Sequence, residues 1–344
     1  MAVDLRKSGM LALKGVAMGA ADVVPGVSGG TIAFIAGIYQ ELIRSLQSLN
    51  LESLRKLFKE GIGAFWSHIN GRFLLPLFLG IGTSIVSLAR GISYLLANHP
   101  ELLWAFFFGL ILASIVVVGK TVQRWNAPVF VALVIGSLVS YYITTITTVA
   151  DETTNLSYIL LCGMVSICAM ILPGISGSFI LLLMGAYELV IGTIKDLASA
   201  VGRLEFGEVG THLKIAGTFA VGAVVGLISF SHALSWLFKR FHDTTIAVLL
   251  GFLVGSLNKI WPWKETLTTR VKHAGQADEQ VLPFIQGNVM PWDYASVNTV
   301  EASQLGLATK DPNLLGAAGL LAVGFTLIIL LEKLGSRSRS TGPT

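Results

Sequence analysis

Hydrophobic and polar positions along the chain sort into long uncharged runs separated by short charged turns. Five runs approach or reach the roughly 20 apolar residues that a helix needs to cross a bilayer: Phe73 to Leu96, Leu102 to Gly119, Ala127 to Val149, Ile215 to Phe238 and Asn313 to Leu331. A sixth, Thr244 to Asn258, is shorter, and Ile260, Trp261 and Trp263 extend it toward an interface. The expected spans are 73–96, 102–119, 127–149, 215–238, 244–260 and 313–331.

One run fits neither one span nor two. Leu156 to Tyr187 holds 32 residues without a charge. A single helix of that length rises about 48 Å, too long for a core of about 30 Å, and two full spans need more residues. Two half-length helices meeting at Pro173-Gly174 fit, because proline lacks a donor and glycine tolerates the turn. The pattern therefore predicts a re-entrant hairpin over 156–194. The same construction fits 10–43 around Pro25-Gly26.

Sliding the chain on itself by 148 places Pro25-Gly26-Val27-Ser28-Gly29 over Pro173-Gly174-Ile175-Ser176-Gly177, Gly37 over Gly185 and Tyr39 over Tyr187. An offset of 142 places "SLARGISYLL" over "SFSHALSWLF", Gly109 over Gly251 and Arg90 over His232. Three full spans per unit is an odd number, so the second unit enters the membrane from the opposite side, as in secondary transporters. The expected fold is an all-α polytopic membrane protein of two inverted-topology repeats, each a re-entrant helical hairpin plus three transmembrane helices. Residues 1–150 form the first repeat and 151–344 the second. An interfacial segment occupies 44–72, where Leu46, Leu49, Leu54, Leu57 and Phe58 share a face beside Arg55, Lys56 and Lys59, and an outside loop occupies 261–312 as a cap or gate.

Composition agrees with a membrane setting. Of 344 residues 53% are hydrophobic and 13% charged, the mean hydropathy is +0.72, and 37 glycines suit close helix packing in lipid. Cys162 and Cys168 sit in an apolar run and receive no role. The basic N-terminus leads into a segment carrying Asp22, so no cleavable signal peptide is expected. Lysine and arginine placement sets the orientation: with both termini cytoplasmic, 15 fall inside and 8 outside.

The second arm of each hairpin starts at its tip, near Ser28, Gly29, Gly30 and Thr31 and near Ser176, Gly177 and Ser178. Unpaired N–H groups, a positive dipole end, hydroxyl donors and glycines that admit a ligand make an anion site. The plainer reading is that these small residues let the hairpins pack. Arg90 is charged deep in a predicted span, which marks a functional candidate, and His232 is its repeat mate; a snorkelling arginine and a satisfied core histidine are the alternatives. Asp22 ends the first arm, where Met170 stands in the second copy, and is a candidate for proton or sodium coupling or for pairing with Arg90. Glu41 and Glu188 are secondary candidates, with a solvated helix end as the alternative. No catalytic residue, metal ligand or cofactor is expected.

The segments "ADVVPGVSGGTIAFIAGIYQELI" and "ILPGISGSFILLLMGAYELVI", with "SLARGISYLL" and "GFLVGSLNKIW" between and beyond them, resemble the bacterial polyprenyl-phosphate transporter family over about residues 10 to 333. That resemblance implies a flippase, not an enzyme, returning undecaprenyl phosphate from the outer to the cytoplasmic leaflet for envelope glycan and peptidoglycan synthesis. It implies alternating access, with the phosphate at the two tips and Arg90. The alternatives are a secondary transporter of a small soluble anion and an intramembrane serine protease using Gly-x-Ser-Gly with His232 as base. Expected partners are the lipid-linked phosphate and the bacterial inner membrane, with a homodimer as a further expectation and no nucleic acid.

Overall fold

A computed structural model describes residues 5–22, 28–146, 155–187, 189–190, 192–193, 197, 209–272, 280–294 and 311–340. Its helices are α1 (Leu5–Asp22), α2 (Gly29–Ile35), α3 (Tyr39–Gln47), α4 (Leu51–Glu60), α5 (Ile62–His68), α6 (Gly71–Asn98), α7 (Pro100–Gly119), α8 (Ala127–Thr145), α9 (Leu156–Ile171), α10 (Gly177–Leu183), α11 (Val209–Arg240), α12 (His242–Ser256) and α13 (Leu314–Ser340). Strands β1 (Lys264–Lys272) and β2 (Gln280–Asn288) pair antiparallel, with Lys264 opposite Asn288.

Among the described residues, three helices are long and apolar enough to cross a membrane: Pro100–Gly119, Ala127–Thr145 and His212–Arg240. Shorter apolar helices lie at Gly71–Ile85, Leu156–Ile171, His242–Ser256 and Leu314–Leu330. Large apolar side chains face outward on α8, Val131 and Leu138 among them, and on α11, with Val221 and Val224. On a soluble protein such continuous exposure is rare, so these faces suit lipid.

Local chemistry explains where the helices begin. Asn126 caps α8 by accepting from the Val129 N–H at 3.1 Å, and Asn155 caps α9 by accepting from Ser157 at 2.9 Å. Asn50 and Ser53 form a capping box at α4. The expected interfacial helix over Leu46 to Phe65 is divided: Gly61, at φ +86, turns the chain between α4 and α5. Phe58 and Ile62 stand exposed on either side of that turn. The β-hairpin in the 261–312 loop was not expected from the apolar pattern, although β1 carries Thr266, Thr268, Thr269 and Val271, β-branched residues that favour a strand.

The chain divides into two compact units. One comprises Met1–Ile92 and Val117–Ser256, the other Ser93–Val116 and Leu257–Thr344.

In the first unit, α1 and α2 run antiparallel: Asp22 at the end of α1 meets Gly29 at the start of α2, while Lys14 farther back reaches Ala36 just beyond α2. Helices α9 and α10 repeat this arrangement. Gly177 lies against Ser166, and the Tyr158 hydroxyl reaches the Met184 carbonyl at 2.9 Å. Cys162, Leu181 and Ala186 form the buried core between the arms of this second hairpin.

Each hairpin is crossed by a long helix at backbone contact. A side chain on Gly15 of α1 or Gly80 of α6 would strike the carbonyl of Leu77 or Ala12; on Gly163 of α9 or Gly222 of α11 it would strike that of Phe219 or Leu160. The α1 and α9 positions are 148 apart and the α6 and α11 positions 142 apart. The same contact therefore occurs twice, at matching residues. In the same unit α12 crosses α8, with Gly251 against Leu133 and Gly136 against Val248.

In the second unit α7 crosses α13, with Gly109 against Leu321 and Gly324 against Phe106. These too are matching pairs: α7 and α12 positions differ by 142, and α8 and α13 positions by 188. The third crossing helix of each sequence half thus packs on a helix from the other half.

Candidate functional site

The tips of the two hairpins meet within the first unit. Ser28 is 1% exposed and Thr31 0%, and both hydroxyls are used in the junction. Ser28 donates to the Met170 carbonyl at 3.0 Å, and Thr31 accepts from the Gly174 N–H at 2.9 Å. Gly30 is required by the close approach, since a Cβ there would lie 2.5 Å from the Ile171 carbonyl oxygen. Gly174 holds φ +82, a left-handed turn that favours glycine, and it rests on the Phe252 backbone of α12.

The two tips differ in what faces their first amides. At the first, Ser28 caps α2: its Oγ accepts from Gly30 at 3.1 Å, and its carbonyl from Thr31 at 2.9 Å. The Asp22 carboxylate accepts from Gly29 at 2.6 Å. Asp22 therefore folds over the N-terminal end of α2, where an anion is favoured, although it also terminates α1. At the second tip Met170 takes that place, with its side chain against Gly177. Ser176 and Ser178 hold each other at 2.9 Å between hydroxyl oxygens, and Ser178 is exposed.

The base of each hairpin is pinned at the same carbonyl. Gly37 and Gly185, at φ +70 and +64, end the short arms. Just before them, the Ala36 carbonyl accepts from the Lys14 ammonium at 2.8 Å and the Met184 carbonyl from the Tyr158 hydroxyl. Lys14 and Tyr158 are pinning residues that the sequence reasoning passed over. The signal available was a lysine inside an otherwise apolar arm.

Arg90 is on α6, and its side chain lies outside the described residues, as does Glu188. His232 is exposed on α11, with Nδ1 2.8 Å from the Ile228 carbonyl of its own helix; no contact joins it to the tips among the described residues. Glu41 is exposed and accepts from Asn70 Nδ2 at 3.2 Å, which braces the turn before α6. Pro25-Gly26, the first break, also lies outside the described residues.

The family model described as undecaprenyl phosphate translocase-like matches residues 18–278, which includes both tips and their crossing helices. The chain belongs to this family. Among relatives of the translocase-like family, a polyprenyl-phosphate transporter of Vibrio cholerae is 45% identical over 322 residues, covering 93% of this chain and 95% of the relative. A polyprenyl-phosphate transporter of Staphylococcus aureus is 33% identical over 261 residues, covering 73% of this chain and 85% of the relative. No solved structure gives a significant match.

Proposed function

We propose that this protein is a polyprenyl-phosphate transporter, a flippase that returns undecaprenyl phosphate from the outer to the cytoplasmic leaflet for peptidoglycan and other envelope glycan synthesis. The observation that carries the reading is the meeting of two hairpin tips rich in hydroxyl and amide donors, in a chain whose relatives are named for this substrate class. A phosphate monoester on an isoprenoid tail needs a polar place for its head only. Its tail stays in lipid.

In this reading the hairpins are re-entrant and the two sequence halves are inverted repeats, supported by the matching glycine contacts. The protein is multi-pass in the bacterial inner membrane, with both termini cytoplasmic. Ser28, Gly29, Gly30, Thr31, Ser176, Gly177 and Ser178, with Arg90 and His232, hold the phosphate. The second tip, lacking a carboxylate of its own, takes it first. Asp22 already occupies the first tip as an internal anion, so an arriving phosphate competes with it for the Gly29 amide. That exchange is where a proton or sodium gradient couples to the cycle. Alternating access follows if the tip junction opens toward one leaflet at a time.

The protease alternative gains no support from the tip hydroxyls. Ser28 and Ser176 engage a carbonyl, an amide and a second serine, and neither has a histidine partner among the described residues.

The test is a leaflet-resolved assay in proteoliposomes carrying undecaprenyl phosphate. The reading predicts protein-dependent movement of the lipid. Uptake of a soluble labelled anion without lipid movement, or covalent capture of Ser176 by a serine-directed probe, would overturn it.

A further inference from the structure

The first unit carries a rim of cations and aromatic rings that the tips do not use. Two turns of the chain meet there. The segment 120–126 leads into α8, and Phe241 alone joins α11 to α12. The Asp243 carboxylate ties the two together: the Arg124 N–H donates to Oδ2 at 2.9 Å, and Oδ1 lies 3.2 Å from His242 Nδ1. Asp243 is the only acidic residue in 119–126 and 239–244, and both of its oxygens are engaged.

The cations beside it are placed differently. Arg124, Lys239 and Arg240 are exposed, and their side chains form no ion pair among the described residues. Arg240 holds Cζ 5.9 Å from the centre of the Phe241 ring. The neighbouring helix α3 packs Tyr39 against Phe238, with ring centres 6.1 Å apart, and brings one acid and one base. Its acid, Glu41, accepts from Asn70, and its base, Arg44, follows one turn later.

Exposed rings frame this charge. Trp125 packs on Phe130 with centres 5.0 Å apart, and Trp236 on Phe241 at 5.8 Å. Amphipathic rings of this kind collect where hydrocarbon gives way to head groups. The apolar outer face of α8 continues from Phe130 through Val131 and Val134, so the cations stand at the end of a face that suits lipid tails.

We propose that the Arg124 turn and the Lys239-Arg240 end of α11 form a docking site for an anionic phospholipid of the surrounding bilayer. Its phosphate lies against the guanidinium and ammonium groups, and its acyl chains follow the exposed faces of α8 and α11. The occupant is a resident phosphodiester lipid, not a transported one, so the inference stands on the membrane setting alone. Each cation held near an anionic surface strengthens association about fivefold, and three together favour an anionic over a zwitterionic head group by roughly tenfold or more. Exposure makes the attraction sensitive to salt.

The test is native mass spectrometry of the purified full-length protein, titrated in detergent with dioleoyl-phosphatidylglycerol or dioleoyl-phosphatidylcholine. Wild type should hold the first phosphatidylglycerol roughly tenfold or more tightly than phosphatidylcholine. Combined Arg124→Gln, Lys239→Gln and Arg240→Gln should remove that preference, and Arg240→Gln alone should weaken it about fivefold. Ser176→Ala, at the tips, should bind phosphatidylglycerol as wild type does, and excess farnesyl phosphate should leave that lipid bound. Thermal melting checks folding, and the single variants Lys239→Gln and Arg240→Gln decide the matter if the combined variant does not fold. Equal affinity of wild type for the two lipids, or a preference undiminished in the folded variants, would overturn the site. Loss of phosphatidylglycerol in Ser176→Ala, or its displacement by farnesyl phosphate, would put the bound lipid at the tips and overturn it as well.

Discussion

Lys14 and Tyr158 perform one task with different chemistry, each donating to the carbonyl that ends a short hairpin arm. A charged donor contributes about 1.5–3 kcal/mol and a neutral hydroxyl about 1 kcal/mol. Lys14→Met should therefore lower unfolding stability more than Tyr158→Phe, which thermal melting of the purified variants measures. Asp22→Asn keeps an acceptor for Gly29 but removes the charge, so proteoliposomes carrying it should transport with altered dependence on imposed proton or sodium gradients. Unchanged dependence would remove Asp22 from coupling. Lys264 behaves in the opposite sense to a stabilising ion. Removal from water, and then the charge of Lys259, hold its ammonium well below the ordinary lysine range. A lysine with a lowered folded-state value destabilises the fold while it is protonated, and that cost fades as pH rises through the folded value toward the unfolded one. Lys264→Met should raise the melting temperature at neutral pH and give a shrinking gain as pH becomes alkaline. At this scale the junction of the tips was legible, because serine and glycine recur at both Pro-Gly breaks, and Ser28, Gly30 and Thr31 join the two hairpins there. The fold of Asp22 onto Gly29 was not, since a residue that ends one helix carries no mark that it caps the next.

The helical elements were legible in existence and less so in extent. Charge-free runs located α6, α7, α8, α11 and α13, and the 32-residue run resolved into α9, a turn at Pro173-Gly174 and α10. What the apolar pattern could not supply was partnership. Helices α7 and α13 cross through Gly109 and Gly324, and α8 and α12 through Gly136 and Gly251, yet each pair is distant in sequence. A glycine reads the same whether its helix meets a neighbour or lipid. Substitution tells them apart: Gly163→Leu or Gly222→Leu should force α9 and α11 apart and markedly lower the yield of folded protein, whereas Gly217→Leu, open within 4 Å, should be tolerated. Fluorescence-detected size exclusion measures this directly. The interfacial segment was legible by its one-sided leucines, but not its division at Gly61. With Phe58 and Ile62 exposed beside Arg55 and Lys59, the α4–α5 pair should bind anionic vesicles as a peptide, and Phe58→Glu should abolish that binding.

At the scale of the whole molecule, the repeated offsets of 148, 142 and 188 tie both halves to one pattern of contacts. The sequence carried the first two offsets. The third was hidden by the 261–312 insertion, which shifts the last helix and contains the unforeseen β-hairpin. A duplicated frame with one altered tip, Asp22 in the first copy and Met170 in the second, is the arrangement expected of a carrier whose two sides do unequal work. The central claim is that the paired tips hold the phosphate of a polyprenyl lipid. Its most direct measurement is the rate of undecaprenyl phosphate movement in proteoliposomes for wild type, Arg90→Ala and Ser176→Ala at equal folded protein. The account predicts at least a tenfold loss of rate in both variants; wild-type rates in both would contradict it.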